Sequence, residues 1–585
     1  MFKIFKRFYH FLFRYKKAFV FFVIVLVAAA VLGNLGPYFY KLLIDNLPSR
    51  DYSKIIKILL LFVGARIVAN LLDTLSHYLG DKVMIPAARD ARITVFRYIQ
   101  DLDFAFHVNK NTGSLISAFK RGDGAFFGLF HDLHYDVGGV FISLLVLLFF
   151  FSQISTSLVF LILLIFTGNL FLSWRLIKLN IRKRRAFNQA EDRISGVITD
   201  NLINYETVKF FAQEQQETRR LRNEFKDWVV KLWQYVNTFR LMDISIGTIS
   251  NLGSLLIFWL VVKKLIAGES GVGDFVMVAS FMTGFYWQFF RLLYHLRNIA
   301  RNFADIQRYF SILDDKIEVK DPAKPLKIKN IQGKIKFEKV GFSYPDSKGI
   351  LKNINLLIKP KETVAFVGRS GVGKTTLVRL LLRFYDVKKG KIMIDGTDIR
   401  KLSKSHLRSF FGVVPQEPIL FNNTIGYNII YGKNKTSFSE MVKAARMANL
   451  HDFIDALPKK YDTEVGERGI KLSSGQKQRL AIARMLLVNP KVIIFDEATS
   501  NLDSESERLI QDALWKVAKQ RTVLIIAHRF STVRRADKIV VMEKGQIVET
   551  GSHQDLIENK KGLYRYLWLL QSKGQQGEVD PDLLK

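Results

Sequence analysis

The longest run without a charged side chain sets the strongest limit on what this chain can fold into. From Val137 to Trp174 there are 38 consecutive uncharged residues. As one α-helix this run would be about 57 Å long, nearly twice the thickness of a bilayer's hydrocarbon core. A turn near Ser152–Ser157 would divide it into two antiparallel membrane spans. The pattern therefore argues against a wholly soluble protein.

Four more apolar stretches predict further spans, at residues 18–40, 55–79, 244–262 and 275–290. A cleaved secretory signal does not fit the first of them, because it is too long and lacks a small-residue cleavage site. The sequence therefore predicts a membrane α-helical bundle of six transmembrane helices over residues 18–314. It is preceded by a basic N-terminus, 1–17.

Charge distribution predicts the orientation of these spans. The chain has 87 Lys and Arg against 53 Asp and Glu, a formal charge of +34. Basic residues concentrate before the first span and at 182–185, between the fourth and fifth spans. By the positive-inside rule both termini face the cytoplasm, as do two long polar loops, 85–135 and 175–243. We expect these loops to be helical extensions of the spans.

Composition also excludes several functions. The excess of basic residues flanks the spans, and no basic groove with interleaved aromatic residues is visible, so nucleic acid is not an expected partner. The chain contains no cysteine. Disulfides, thiolate zinc sites, iron–sulfur ligation and thiol catalysis are therefore excluded.

A phosphate-binding motif lies in the second half of the chain. The apolar strand Thr363–Val367 leads into a G-x-x-x-x-G-K-[ST] loop, and a helical stretch, Leu377–Arg383, follows. Backbone N–H groups of such a loop surround phosphate oxygens at the start of a helix. Lys374 would reach the β- and γ-phosphates of ATP and Thr375 would ligate Mg²⁺. The predicted nucleotide contacts are Gly368, Arg369, Ser370, Gly371, Val372, Gly373, Lys374, Thr375 and Thr376.

A second strand, Val492–Phe495, ends in two acidic residues. Asp496 is placed to hold the magnesium ion, and Glu497 is the candidate base that polarises the attacking water. Following a phosphate-binding loop in the same domain, these two carboxylates predict ATP hydrolysis. The fold expected here is an α/β P-loop NTPase domain.

Further motifs in this half resemble those of the ATP-binding cassette (ABC) superfamily. Leu472–Gln476 is similar to its signature loop and Ser500–Asp503 to its D-loop. The resemblance implies catalytic roles for Glu497, His528 and Gln416, and nucleotide contacts from Tyr344, Ser473, Gly475, Gln476 and Asp503. It implies magnesium ligation by Thr375, Gln416 and Asp496. The signature departs from the family pattern at Ser474, where Gly is usual and a Cβ can hinder the approach of the backbone.

Six spans ahead of one cassette resemble the half-transporters of the exporter class. The predicted domains are the membrane domain, 18–314, a linker, 315–333, the ABC nucleotide-binding domain, 334–571, and a flexible tail, 572–585. In that family the signature loop of one cassette meets the P-loop of another, which implies a homodimer with two composite ATP sites. Such an exporter would use ATP hydrolysis and alternating access to move a small molecule or lipid out of the cytoplasm. A bacterial inner membrane is the expected location.

Two alternatives stay open at this point. One is an ATP-gated channel or regulator that does not pump, and the other is half of a heterodimeric multidrug or lipid exporter formed with a related half-transporter. An importer is disfavoured because the two parts are fused in one chain.

Several segments outside the ATP motifs also resemble exporter elements. Asp103–Ser117 and Asn204–Lys209 are similar to the first and second coupling elements, and Glu464–Gly469 to the loop that contacts them. Asn204–Phe211 and Phe421–Ile425 look most like mitochondrial exporters and their bacterial relatives that move glutathione-derived or metal-linked compounds.

Ionisable residues inside the spans offer an independent clue to the cargo. Arg66 and Asp73 share one helical face. Arg66 either lines a cavity that favours anionic, amphipathic cargo or forms an internal ion pair with Asp73. His131 and His134, with Asp132 and Asp136, are expected to form a polar interfacial turn rather than a metal site.

Overall fold

The computed structural model describes residues 2–109, 112–344, 349–433, 435–496, 504–527 and 530–574. The contacts divide the chain into two units. The first is Met1–Asp101 with Lys110–Asp315, and the second is Leu102–Asn109 with Lys316–Lys585. A short segment of the N-terminal half therefore packs as part of the C-terminal unit.

All the regular secondary structure described in the N-terminal half of the chain is helical. In chain order its α-helices are α1 Phe2–Leu12, α2 Lys16–Gly33, α3 Gly36–Asn46, α4 Tyr52–Asp101, α5 Phe104–Asn109, α6 Thr112–His131, α7 Gly138–Ile154, α8 Thr156–Ile203, α9 Tyr205–Phe210, α10 Glu214–Ile266 and α11 Val272–Ser311. A π-helical turn, Asp132–Val137, joins α6 to α7.

Three of these helices are far longer than a bilayer requires. Helices α4, α8 and α10 contain 50, 48 and 53 residues, whereas about 20 residues cross the hydrocarbon core. The polar loops predicted as helical extensions are thus confirmed as continuations of these helices. Five helical segments of the described chain are long and apolar enough to cross a membrane. The sixth predicted span, 275–290, lies within α11.

The first predicted span, 18–40, is not one continuous helix. Helix α2 ends at Gly33 and α3 starts at Gly36. Pro37 lies in the first turn of α3, where its missing N–H is tolerated, but it cannot donate the hydrogen bond that would continue α2. The predicted turn between the third and fourth spans is confirmed at Ser155, which has extended backbone geometry and precedes α8.

Polar pairs bind the long helices of the first unit to each other. Asn180 Nδ2 donates to Thr238 Oγ1 at 2.6 Å between α8 and α10, and both side chains are buried. Asn169 Nδ2 donates to Ser250 Oγ at 3.3 Å between the same helices. Where apolar residues face lipid, such buried pairs fix which faces of two helices meet.

The second unit contains two sheets. Its strands are β1 Ile335–Phe342, β2 Leu351–Ile358, β3 Thr363–Val367, β4 Lys389–Ile394, β5 Thr397–Asp398, β6 Phe411–Val414, β7 Val492–Asp496, β8 Thr522–Ile526, β9 Lys538–Glu543 and β10 Gln546–Gly551. One sheet has the order β2-β1-β4-β5 and is antiparallel; the other has the order β10-β9-β3-β8-β7-β6. Within the second, β9, β3, β8, β7 and β6 pair in parallel.

Besides α5, the second unit contains ten described α-helices. They are α12 Lys374–Leu381, α13 Lys404–Arg408, α14 Ile425–Ile430, α15 Phe438–Met447, α16 His451–Asp455, α17 Ser474–Val488, α18 Ser504–Ala518, α19 Phe530–Val533, α20 His553–Glu558 and α21 Leu563–Gly574. Strand β3 is buried along its whole length. Its side chains contribute to two apolar clusters, one shared with the antiparallel sheet and one with α15 and α17.

The segment predicted as a linker takes part in this second unit. Arg383, only 3% exposed, donates to the carbonyl of Lys320 at 2.7 Å. Leu326 N donates to the carbonyl of Lys401 at 2.9 Å. The first contact gives a hydrogen-bond partner to a guanidinium that would otherwise be costly to bury, and the second fixes the backbone of the segment. Of the predicted tail, 572–574 continue α21 and 575–585 lie outside the described residues.

Candidate ATP site

The larger sheet places the predicted site residues along one edge. Strands β3, β8, β7 and β6 are parallel neighbours, so their carboxyl ends meet at the same edge of the sheet. The predicted phosphate loop follows β3, and Asp496 is the last residue of β7. Gln416 comes two residues after β6 ends at Val414. The sequence motifs, scattered over about 190 residues, thus converge through the strand order.

Three predicted site residues lie outside the described residues: Glu497, Asp503 and His528. The strands that precede two of them are described. Strand β7 leads directly to Glu497, and β8, followed by Ala527, leads to His528. Asp496 and Ile526 are register partners in these neighbouring strands. The described ends of both strands therefore lie at the edge of the sheet that carries the phosphate loop.

The phosphate loop has the strand–loop–helix form predicted for it. Lys374 is buried, and its Nζ donates to the carbonyls of Gly368 at 2.6 Å and Arg369 at 3.1 Å. These bonds hold the ammonium over the loop where phosphate oxygens would bind. Gly368 and Gly373 have φ angles of 152° and 105°. A Cβ at Gly368 would lie 2.4 Å from the Met542 carbonyl oxygen, so glycine is required there.

Tyr344, predicted to stack on adenine, lies beside the start of α12. Its hydroxyl is 3.3 Å from Thr376 Oγ1 and accepts from Arg379 Nη1 at 3.3 Å. The ring packs edge-on against Tyr385 at 5.1 Å between centroids. Burial raises the pKa of the Tyr385 hydroxyl, as does the neighbouring Tyr344. The Tyr385 phenol therefore stays protonated and can donate a hydrogen bond near the phosphate loop at physiological pH.

The first predicted coupling element reaches this same cluster. Phe104, in α5, stacks on Phe384 at 4.7 Å and 13°, and the Arg379 guanidinium lies 5.3 Å from the centre of the Phe104 ring. The carboxylate of Asp103 accepts hydrogen bonds from the backbone N–H groups of Glu318 and Val319. Sequence alone did not identify Arg379 and Phe384. The only sequence signal that could have identified them is their position in, or just after, the helix that follows the phosphate loop.

We expect Phe104→Ala to weaken communication between this segment and the ATP site. Loss of the aromatic and cation–π contacts removes about 1–3 kcal/mol, so cargo-stimulated ATPase activity should fall about 5- to 100-fold while basal hydrolysis changes little. The measurement compares the two rates in lipid nanodiscs. Val108→Ala, in the same helix but exposed, is the matched control. Equal stimulation in both variants would contradict a coupling role for Phe104.

The signature loop forms the start of α17. Ser473 caps the helix: its Oγ accepts from Gln476 N, and Gln476 Oε1 accepts from Ser473 N at 2.9 Å. Ser474 is the first residue of the helix, is exposed, and has no positive φ. The unusual serine therefore fits the backbone without strain, which removes one physical reason to expect slow turnover.

Gln478, which sequence reasoning missed, connects the signature helix to the segment that carries Gln416. Its Nε2 donates to the carbonyls of Gln416 at 2.6 Å and Pro415 at 3.1 Å. The side chain is 3% exposed. Buried polar side chains normally have hydrogen-bond partners, and the sequence does not show which residues those are. Only the tertiary structure reveals that Gln478 joins the signature helix to the segment of Gln416.

Two other predicted segments also lie together. Ile425 N donates to the Thr463 carbonyl at 2.9 Å, and Val465 N donates to the Asn423 carbonyl at 3.1 Å. Phe421–Ile425 and the start of Glu464–Gly469 are thus paired through their backbones. Gly466 and Gly469 have positive φ angles, which give the second segment its tight course before the signature loop.

Comparisons with known proteins agree with this geometry. Residues 351–500 match the family model "ABC transporter", and residues 19–289 match "ABC transporter transmembrane region". The chain is 34% identical over 577 residues to ATP-binding cassette sub-family B member 6 of Mesocricetus auratus, covering 94% of this chain and 67% of that protein. The chain belongs to the ABC transporter family.

Two further similarities place this ABC transporter among the exporters. It is 34% identical to "Iron-sulfur clusters transporter ABCB7, mitochondrial" of Oryzias latipes over 94% of this chain and 76% of that protein. A solved structure described as a bacterial Atm1-family ABC exporter with ATP bound aligns with a TM-score of 0.85 and 33% identity, covering 95% of this chain and 98% of that one. The aligned region spans about two thirds of the Mesocricetus auratus protein.

The ABC transporter is therefore a half-transporter of the exporter class: a multi-pass membrane protein that binds ATP and hydrolyses it to drive transport. The predicted fold, a helical membrane bundle followed by an α/β nucleotide-binding domain, is confirmed.

Proposed function

We propose that two copies of this ABC transporter form a homodimer with two composite ATP sites. The observation that carries the proposal is the exposed apolar surface formed by α9 and the residue that follows it, Phe211. Tyr205, Phe210 and Phe211 are 58%, 80% and 69% exposed in the single chain. A polar loop tip would not normally carry such a patch unless a partner covers it. Ser473 and Ser474 of the signature loop are also exposed.

Within each composite site we assign the chemistry as follows. Lys374 and the loop N–H groups bind the phosphates, Tyr344 receives the adenine, and Glu497 accepts a proton from the attacking water. His528 and Gln416 assist at the γ-phosphate. Ser473, Gly475 and Gln476 of one copy, with Asp503, complete the site of the other.

Mg²⁺ fits the residues proposed to hold it. Thr375, Gln416 and Asp496 offer a hydroxyl, an amide oxygen and a carboxylate, a hard oxygen set of the kind that Mg²⁺ prefers. Thr375 is the second residue of α12 and Asp496 ends the strand two places away in the sheet. When bound, the ion would neutralise charge on the phosphate oxygens.

We further propose an anionic, amphipathic cargo. A cavity of about 320 Å³ in the first unit is lined by Arg66 together with Asn34, Tyr40, Phe62, Ser143 and Gln288, among others. Gln288 Oε1 is buried without a hydrogen-bond partner. In the described chain Arg66 makes no ion pair with Asp73, whose carboxylate instead lies 3.9 Å from His77 Nε2. The guanidinium is thus available to a ligand in a cavity that Tyr40 and Phe62 also line.

The cargo proposal predicts a charge-selective effect of Arg66→Ala. Loss of a charge-assisted hydrogen bond worth about 1.5–3 kcal/mol should raise the concentration of oxidised glutathione needed for half-maximal ATPase stimulation by about 10- to 100-fold. Stimulation by a hydrophobic cation should be unchanged. The assay uses purified protein in nanodiscs, with lipid A as a third compound. Lys57→Ala, exposed on the same helix, is the control. Unchanged responses to all three compounds would contradict a cavity role for Arg66.

For location, we propose a bacterial inner membrane with the nucleotide-binding domain in the cytoplasm. The likeness to a bacterial exporter along nearly the whole chain and the basic cytoplasmic flanks support it. Fractionation of the native host, followed by protease treatment of inverted and right-side-out vesicles, tests both parts.

A further inference from the structure

Two carboxylates and one imidazole meet inside the first unit, and none of the three lines the cavity beside Arg66. Asp132 and Asp136 lie on the π-helical turn between α6 and α7, and His295 comes from α11. His295 Nδ1 is 2.7 Å from Asp132 Oδ1 and 3.1 Å from Asp136 Oδ2. The three ligand atoms lie within 4.8 Å of one another. They are brought together from positions 163 residues apart in the chain.

The surroundings of this cluster hold both carboxylates in place. Asp132 is only 6% exposed, and its second oxygen accepts from Asn302 Nδ2 at 3.0 Å. The same oxygen of Asp136 that faces His295 also lies 3.1 Å from His131 Nδ1. Both aspartates therefore have fixed orientations, which is the usual arrangement around a metal-binding carboxylate.

The geometry of the cluster leaves one nitrogen facing two carboxylates. His295 Nδ1 carries at most one hydrogen, yet it lies 2.7 Å from an Asp132 oxygen and 3.1 Å from an Asp136 oxygen. A single N–H cannot point at both oxygens. A divalent cation placed between the three ligand atoms would bind both carboxylates and would accept the lone pair of the imidazole nitrogen.

The distances and donor types suit a transition metal. Zinc lies about 2.0–2.2 Å from nitrogen and oxygen ligands, which places neighbouring ligand atoms about 3–3.5 Å apart. Of the two distances from His295 Nδ1, 3.1 Å already lies in this range and 2.7 Å needs only a small opening to reach it. One imidazole nitrogen with two carboxylate oxygens selects Zn²⁺, Mn²⁺ or Co²⁺ over soft ions that prefer sulfur.

We propose that Asp132, Asp136 and His295 form a binding site for a divalent transition-metal cation that joins the α6–α7 turn to α11. Asn302 and His131 orient the two carboxylates. His134, which the sequence pattern grouped with these residues, is not a ligand. Its Nδ1 lies 2.8 Å from the Phe130 carbonyl, and its ring packs among Phe19, Phe22 and Phe130.

The test is metal binding by the purified full-length protein in nanodiscs without nucleotide. After chelation, Co²⁺ is added and its visible absorption and bound stoichiometry are measured, followed by competition with Zn²⁺. We expect one Co²⁺ per chain, displaced by Zn²⁺. His295→Gln and Asp136→Asn should each weaken binding by about 100-fold or more, and Asn302→Ala by about 10-fold. His10→Gln, an exposed histidine elsewhere in the same unit, should bind as the wild type does.

Two outcomes would overturn the proposal. One is wild-type Co²⁺ binding no stronger than that of His295→Gln, which would leave a hydrogen-bonded network without metal. The other is stoichiometric binding that survives both ligand substitutions. Retained basal ATPase activity shows that each variant is folded. If His295→Gln fails to fold, Co²⁺ binding by Asp136→Asn, which keeps the shape of the side chain, tests the proposal instead.

Discussion

Glu497→Gln is expected to lower the turnover number for ATP hydrolysis by about 10²- to 10⁴-fold, because the amide cannot accept the proton of the attacking water. ATP affinity should be nearly unchanged, since the phosphate contacts of Lys374 and the loop remain. The variant should therefore accumulate as an ATP-bound dimer. Phosphate release in nanodiscs gives the rate, and the nucleotide retained after gel filtration gives the occupancy.

The control for this variant is Glu558→Gln, an exposed glutamate on α20, which should keep the wild-type rate. Hydrolysis by Glu497→Gln within about fivefold of wild type would rule out Glu497 as the general base. Loss of ATP binding would show instead that the carboxylate is needed to form the nucleotide site.

The second large effect tests the composite site directly. Lys374→Ala removes the buried ammonium that hydrogen-bonds the loop carbonyls and should abolish hydrolysis. Ser473→Arg places a bulky cation in the signature loop and should also abolish hydrolysis, although the phosphate loop of the same chain should still bind nucleotide. A mixed dimer of the two variants contains one damaged site and one intact site. It should recover about half of the wild-type rate if the two sites act independently.

Mixed dimers can be purified through two different affinity tags, one on each variant. Ser473→Asn is the control for the helix cap, because asparagine still accepts from the N–H of Gln476 and costs little stability. Mixed dimers as inactive as the two homodimers would contradict sites shared between copies. Activity in the Lys374→Ala homodimer would contradict the role given to Lys374.

Local motifs explain why the strands and the loop around the candidate ATP site were predictable. Gly368 and Gly373 have positive φ angles, which residues with a side chain rarely adopt. Because the loop requires glycine at these positions, its spacing can be recognised in the sequence. Strands β3 and β7 were predicted within one residue because buried parallel strands are short continuous apolar runs between turns. The long helices α4, α8 and α10 followed from apolar runs that continue into polar segments expected to be helical.

Contacts between distant residues were not readable in this way. Gln478 and Arg379 resemble ordinary polar residues of a helix, and only the packing shows that the first joins two motifs and the second contacts both Phe104 and Tyr344. The prediction of the first span as a single helix was wrong because Pro37 lacks the N–H that would continue α2, although the surrounding residues are apolar.

By itself the sequence determined the apolar helices, the strand–loop–helix form of the phosphate loop and the buried strand that ends at Asp496, because each depends on neighbours within a few residues. Tertiary structure decided the partners of the charged residues inside the first unit. It separated Arg66 from Asp73 and placed His295 against Asp132 and Asp136. The physical reason is that a side chain's partner is set by which helix faces pack together, and that depends on the whole bundle.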